Sequence, residues 1–187
     1  MFFRNRLAAA LFTATFALAA IPGHVHAEPP AAIDLGVRER LAGQYVYAGG
    51  EAQRAQLEAA IDRATDGMFF VAKPIARGKL RDKTQIKATV GFSFAHGAIT
   101  STASDVAPAT SPDDGRAVAY VAAGESLQLS QKLTANGHLL QTFAASEGTR
   151  TNDYSVSAGG DVLTVAITVS SSKLTRPVRY TLTYRRK

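Results

Sequence analysis

Between residues 125 and 186, bulky and polar residues alternate with period two in consecutive stretches separated by turn sequences. Alternation of this kind puts one set of side chains on each face of a strand, so this part of the chain reads as an antiparallel meander with one buried face. Leu127, Leu129, Gln131 and Leu133 share a face, and Asn136-Gly137 then supplies hairpin chemistry. With a loop over 135–137, Leu133 faces Leu139, Gln131 faces Gln141 and Leu129 faces Phe143. A turn at Glu147-Gly148 then sets Ala145, Phe143 and Gln141 opposite Arg150, Asn152 and Tyr154. Beyond the turn Ala158-Gly159-Gly160-Asp161, Leu163, Val165, Ile167 and Val169 alternate with Thr164, Ala166, Thr168 and Ser170. In the last stretch Val178, Tyr180, Leu182 and Tyr184 alternate with Arg179, Thr181, Thr183 and Arg185.

Upstream the signals are more varied. Residues 41–47 read as a first strand, entered at Gly43 and carrying Tyr45 and Tyr47 on one face. After Gly49-Gly50 the period changes to that of a helix. Leu57, Ile61, Ala64 and Met68, with Ala60 beside them, form one apolar stripe, Arg54 and Glu58 stand four apart, and Gly67 is a stop. The helical insert is expected over about 50–78, its second part kept short or kinked by Pro74. From 73 to 87 the charge is one-sided, with Lys73, Arg77, Lys79, Arg81, Lys83 and Lys87 against Asp82. Such a run is either a solvated face or a docking surface for anionic lipid or an envelope protein. Residues 84–94 read as a half-buried strand, 95–97 as a turn and 98–103 as a short returning strand. Residues 104–115, with Pro108, Pro112, Asp113 and Asp114, read as a loop, and the strand rhythm resumes at 116–122.

The N-terminus carries Arg4 and Arg6 ahead of an apolar run over 7–21, broken by Pro22-Gly23, and Val25-His26-Ala27 has the small-residue pattern of a cleavage site. Residues 1–27 are therefore expected to be a cleaved Sec-type signal peptide, and the mature chain to be periplasmic or secreted. Residues 28–40 are expected to be a leader, and 41–187 a single domain long enough for a real core. The chain has no cysteine, so neither disulfides nor a lipidated cysteine is available to it. The net charge of +6 falls to about +4 without Arg4 and Arg6, and no basic stripe interleaved with aromatics marks a nucleic-acid partner.

No constellation for catalysis is visible. His96 and His138 both fall at turns, no metal-ligand spacing or G-x-S-x-G is present, and Asp113-Asp114 is explained by turn chemistry. The expectation is a protein that is not an enzyme and holds no metal or cofactor. Informative instead are polar residues on faces that should be buried: Gln131, Gln141, Arg150, Asn152 and Tyr154. A buried polar group must be satisfied by protein, water or ligand. Together with Phe143, Tyr180 and Tyr184 they are the candidate ligand-binding residues. Leu129, Phe143, Val165, Ile167 and Leu182 would line the pocket, with Leu57, Ile61, Met68 and Phe69 closing its mouth.

Gly43-Gln44-Tyr45, a helical segment before a long meander, and a final strand bearing Arg179-Tyr180 and Tyr184-Arg185 together resemble the calycin barrels, lipocalins and especially fatty-acid-binding proteins. Those families have glycine, any residue and tryptophan on the first strand, and an arginine and a tyrosine that contact a carboxylate. Here tyrosine replaces the tryptophan, and Arg179 and Arg185 fall on the face opposite Tyr180 and Tyr184. The resemblance implies a mainly β fold: an antiparallel up-and-down, lipocalin-like β-barrel or half-barrel with one or two helices covering one end. It also implies a binding protein for a small hydrophobic or amphipathic ligand. The alternative is a non-catalytic envelope interaction or inhibitor module with a filled barrel, binding through residues 104–115 or through Lys73, Arg77, Lys79, Arg81 and Lys83. An empty, partly polar interior would favour the first and a solid core the second.

Overall fold

The computed structural model describes residues 31–187, with side chains from Gly36 onward. The expected signal peptide lies outside the described residues. Among them are ten antiparallel strands, β1 (Gly43–Tyr47), β2 (Thr89–Ala95), β3 (Ala98–Ala103), β4 (Val106–Pro112), β5 (Val118–Ala122), β6 (Glu125–Leu133), β7 (Leu139–Ala145), β8 (Gly148–Val156), β9 (Val162–Ser170) and β10 (Val178–Arg186). They form one sheet in the order β4-β3-β2-β1-β10-β9-β8-β7-β6-β5. The two end strands curl toward each other: Tyr120 Oη on β5 donates to the Ala107 carbonyl on β4, and Asp114 bridges to Lys132. The result is a nearly closed up-and-down barrel.

Three helices complete it among the described residues: α1 (Ala31–Leu41), α2 (Gly50–Ala64) and α3 (Ala72–Lys83). The leader expected over 28–40 is thus helical from Ala31. Its short, charge-rich sequence hides an apolar pair, Val37 and Leu41, that is buried at one end of the barrel. Helices α2 and α3 cover the other end. Thr175, between β9 and β10, donates to the Ala64 and Asp66 carbonyls, and Lys83 pairs with Glu125 at 2.5 Å. The predicted stripe of α2 is the one that turns inward, since Leu57, Ala60, Ile61 and Ala64 are all buried. Helix α3 runs past the expected end of the insert, to Lys83. Pro74 does not break it because it falls in the first turn, where backbone N–H groups have no intrahelical acceptor.

The basic run of α3 is laced to α2. Arg77 pairs with Asp62 at 2.7 Å, Arg81 with Glu58 at 2.8 Å and Lys73 with Asp66 at 3.4 Å. Glu58 is therefore taken by the neighbouring helix, and Arg54 pairs with Glu51 instead of with Glu58. Phe69 does not close the mouth: the turn after α2 carries it outward, 84% exposed. Residues 104–115 are mostly strand β4 rather than a loop. Pro108 is tolerated because it lies where the register against β3 shifts, on the outermost strand of the sheet, so its missing N–H breaks no regular ladder.

Within the meander the hairpin at Asn136-Gly137 has the expected register, with Leu133 opposite Leu139, Gln131 opposite Gln141 and Leu129 opposite Phe143. The next hairpin is tighter than expected. Ala145 pairs with Gly148, so Phe143 faces Arg150, Gln141 faces Asn152 and Leu139 faces Tyr154. The shift is two residues, and an even shift keeps every side chain on its face.

Candidate functional site

Cross-strand pairing stacks the inward residues in rungs. Leu129, Phe143, Arg150, Val169 and Val178 form the rung nearest α2 and α3. Gln131, Gln141, Asn152, Ile167 and Tyr180 form the next. Leu133, Leu139, Tyr154, Val165 and Leu182 follow. All eight candidate residues therefore point into the barrel, and Gln131, Gln141, Asn152, Tyr154, Tyr180 and Tyr184 are buried there.

The three amides make a ladder whose centre is Gln141. Its Nε2 donates to Ser101 Oγ at 2.6 Å and to Gln131 Oε1 at 2.9 Å. Its Oε1 accepts from Asn152 Nδ2 at 2.8 Å and from the Tyr154 hydroxyl at 3.0 Å. Gln131 Nε2 donates onward to the Ile99 carbonyl at 2.9 Å and to Ser111 Oγ at 3.2 Å. These bonds run from the β6–β8 wall to the β3–β4 wall, and Phe92 meets Tyr154 edge-on with centroids 4.8 Å apart. The barrel is bridged across at this level. Val165, Ile167 and Leu182, expected to line a pocket, belong to the packed core, and Leu129, expected there too, is fully buried. Two open clefts, of about 320 and about 270 Å³, lie at the strand tips and beside α1, and neither is lined by a ladder amide.

Ser101 and Ser111 are the partners that sequence reasoning missed. Ser101 sits two residues after Ile99, on the inward face of β3, so the period-two pattern of that short strand carried the signal. The ladder's use of Ser111 depended on recognising 104–115 as a strand.

Arg150 stands at the end of the ladder, directly under α3. Its Nε donates to Asn152 Oδ1 at 2.9 Å and its Nη1 to the Lys83 carbonyl at 3.0 Å. It makes no ion pair among the described residues. The Tyr180 hydroxyl, on the ladder's own rung, is buried without a hydrogen-bond partner. Burial pushes the Tyr154 hydroxyl up to about 12, and raises Tyr180 and Tyr184 as well, with the Arg150 charge opposing burial in each case. In the unfolded chain these phenols ionise near pH 10. A folded pKa above the unfolded one means stability that is complete below pH 10 and is lost as pH climbs toward 12. Absorbance titration of the phenolates should therefore show a late group of tyrosines released together with unfolding, and Tyr154→Phe should make that release smaller.

The described residues thus form one nearly closed antiparallel up-and-down barrel, with a helical pair between its first and second strands and a polar group inside. Its fold is similar to that of a fatty-acid-binding protein from Schistosoma mansoni in complex with arachidonic acid, at TM-score 0.47 and 12% identity, covering 81% of this chain and 98% of that one. It is similar also to a mutant of the REP1-NXSQ fatty acid transporter, at TM-score 0.46 and 13% identity, covering 80% and 99%. A third is secretory abundant heat soluble protein 4 from Ramazzottius varieornatus, at TM-score 0.49 and 10% identity, covering 79% and 95%. No protein-family model and no curated protein matches the sequence.

Proposed function

We propose that the protein is a non-enzymatic binding protein for a small amphipathic anion, taken up at the end of the barrel covered by α2 and α3. The observation that carries this reading is Arg150: an inward guanidinium without a carboxylate partner among the described residues, above a buried Tyr180 hydroxyl that nothing satisfies. A carboxylate or phosphate head would give the Tyr180 hydroxyl an acceptor and Arg150, now bonded only to neutral acceptors, a counter-charge, and a guanidinium binds such heads through paired N–H donors. Phe143 and Val169 flank Arg150, and Leu57, Ile61 and Leu80 are buried beneath the helices, so the apolar part of the ligand would lie between the ladder and the cover. Entry requires α2 and α3 to lift, because Arg150 is bonded to the last turn of α3. The same proposal has the chain act after export and removal of its first 27 residues.

The bridged interior favours a second reading, a filled barrel that serves as an interaction module. One experiment separates the two. Thermal unfolding is followed with decanoate, dodecanoate and decanol, for the native chain and for Arg150→Gln. The binding reading expects both acids to raise the midpoint, the alcohol to do less, and Arg150→Gln to weaken acid binding about tenfold or more, as loss of a charged hydrogen bond of ~1.5–3 kcal/mol would. No shift with any of the three, or shifts untouched by Arg150→Gln, would favour the module.

A further inference from the structure

The turn between α2 and α3 presents an apolar surface that the fold does not use. Phe69 is 84% exposed, Phe70 83%, Val71 59% and Ile75 60%. Single exposed apolar residues need no explanation, but four large ones within seven positions make a patch. Local geometry fixes it in place: the Phe69 carbonyl accepts from the backbone N–H of Ala72 and of Lys73, starting α3. Val71, Ile75 and Lys79 recur every four residues, so the exposed side of α3 is apolar near the turn and basic beyond it. Arg63, exposed in the last turn of α2, precedes the tip by six residues. The acids Glu58, Asp62 and Asp66 are already matched by Arg81, Arg77 and Lys73, whereas Lys79 and Arg63 make no ion pair among the described residues. The patch is thus an aromatic tip with surplus positive charge around it.

We propose that this tip docks the protein on an anionic lipid bilayer, with Phe69, Phe70, Val71 and Ile75 entering the interface and Arg63 and Lys79 facing the headgroups. Two adjacent phenylalanines this exposed project from the surface and have no groove walls around them, which suits insertion into a soft apolar layer better than fitting against a rigid partner. Apolar burial and attraction to anionic headgroups act together in such docking, and neither suffices alone for a patch this small. No helix among the described residues is long and apolar enough to cross a membrane, so the contact would be at the surface. The tip lies on the same helical pair that must lift for a ligand to reach Arg150. The docking proposal nevertheless stands on its own residues.

The test is co-sedimentation of the full chain with phosphatidylcholine vesicles and with vesicles holding roughly 30% phosphatidylglycerol, at low and high salt. The native protein should bind the anionic vesicles, more weakly as salt rises, and bind neutral ones poorly. F69S/F70S should lower the partition coefficient about tenfold or more with its melting temperature unchanged, since both side chains are in solvent. Arg150→Gln should bind vesicles like the native chain, which separates this proposal from the ligand reading. Native protein that ignores anionic vesicles would overturn it, as would equal binding by F69S/F70S. If vesicles are ignored while F69S/F70S abolishes a concentration-dependent dimer, the occupant of the patch is a second copy and the bilayer proposal fails.

Discussion

Gln141→Leu is expected to be the most destabilising single change in the barrel interior, at about 4 kcal/mol. Leucine matches the volume, so the cost is polar. Both amide protons and both lone pairs of Gln141 are in use, toward Ser101, Gln131, Asn152 and Tyr154. Removing the hub leaves Gln131 Oε1 without its donor, Tyr154 without its acceptor and one Asn152 proton unbonded, each buried and costing roughly 1 to 3 kcal/mol. In a chain of this size the melting temperature should fall by roughly 10 °C. Urea unfolding should give an earlier midpoint at unchanged slope, because the denatured state is not altered. Gln141→Glu should do little better, since a carboxylate cannot donate to Ser101 or Gln131. Stability equal to that of the native chain in Gln141→Leu would mean that the two walls are not tied through the ladder.

Arg186→Ala is expected to be nearly as damaging, at about 3 kcal/mol, and its effect should be local. This arginine of β10 ties α1 to the barrel. It donates to the carbonyls of Arg40, Ala42 at 2.7 Å and Gly160 at 2.9 Å, and to the Tyr45 hydroxyl at 2.7 Å, with its guanidinium 4.9 Å above the Tyr45 ring. Two of the three carbonyls lie at the C-terminal end of α1, where unpaired carbonyls favour a cation. A lysine carries the charge without the planar fork, so Arg186→Lys should recover less than half of the loss. Hydrogen exchange should show protection falling first at the C-terminal end of α1 and over β1. A uniform loss across all strands would mean that Arg186 supports the whole barrel rather than this corner.

How much of this was readable beforehand divides along physical lines. The inward faces of β6 to β10 follow from residues such as Leu163, Val165 and Ile167, because period-two alternation is a strong local signal. The grouping of Gln131 and Gln141 followed from Asn136-Gly137, which fixes its hairpin. The neighbouring pairing was two residues off because nothing in Ser146-Glu147 distinguishes a two-residue turn from a longer one, yet Arg150 and Asn152 kept their faces. Prolines concealed β4, since Pro108 is harmless only at an irregular site on an outermost strand, which is a property of topology. The partnership of α2 and α3 was invisible for a similar reason: Glu58 has a suitable cation four residues away in sequence, and Arg81, on another helix, wins it. Arg186 and Tyr45 stand at opposite ends of the domain, and no local pattern announces a contact made when β10 pairs with β1. Arg150 was legible as an inward charge, but its position beneath α3 and beside the Tyr180 hydroxyl required the packed barrel.

The central claim is that a ligand's anionic head meets Arg150 beneath α2 and α3 while the amide ladder below stays closed. Side-chain N–H spectra of isotope-labelled protein titrated with dodecanoate address both halves at once. The account predicts that the Arg150 Nε–H signal and the backbone signals of α3 move together with ligand, while the side-chain amides of Gln131 and Gln141 stay fixed. Movement of those two amides with Arg150 unchanged, or no movement anywhere at saturating dodecanoate, would contradict it.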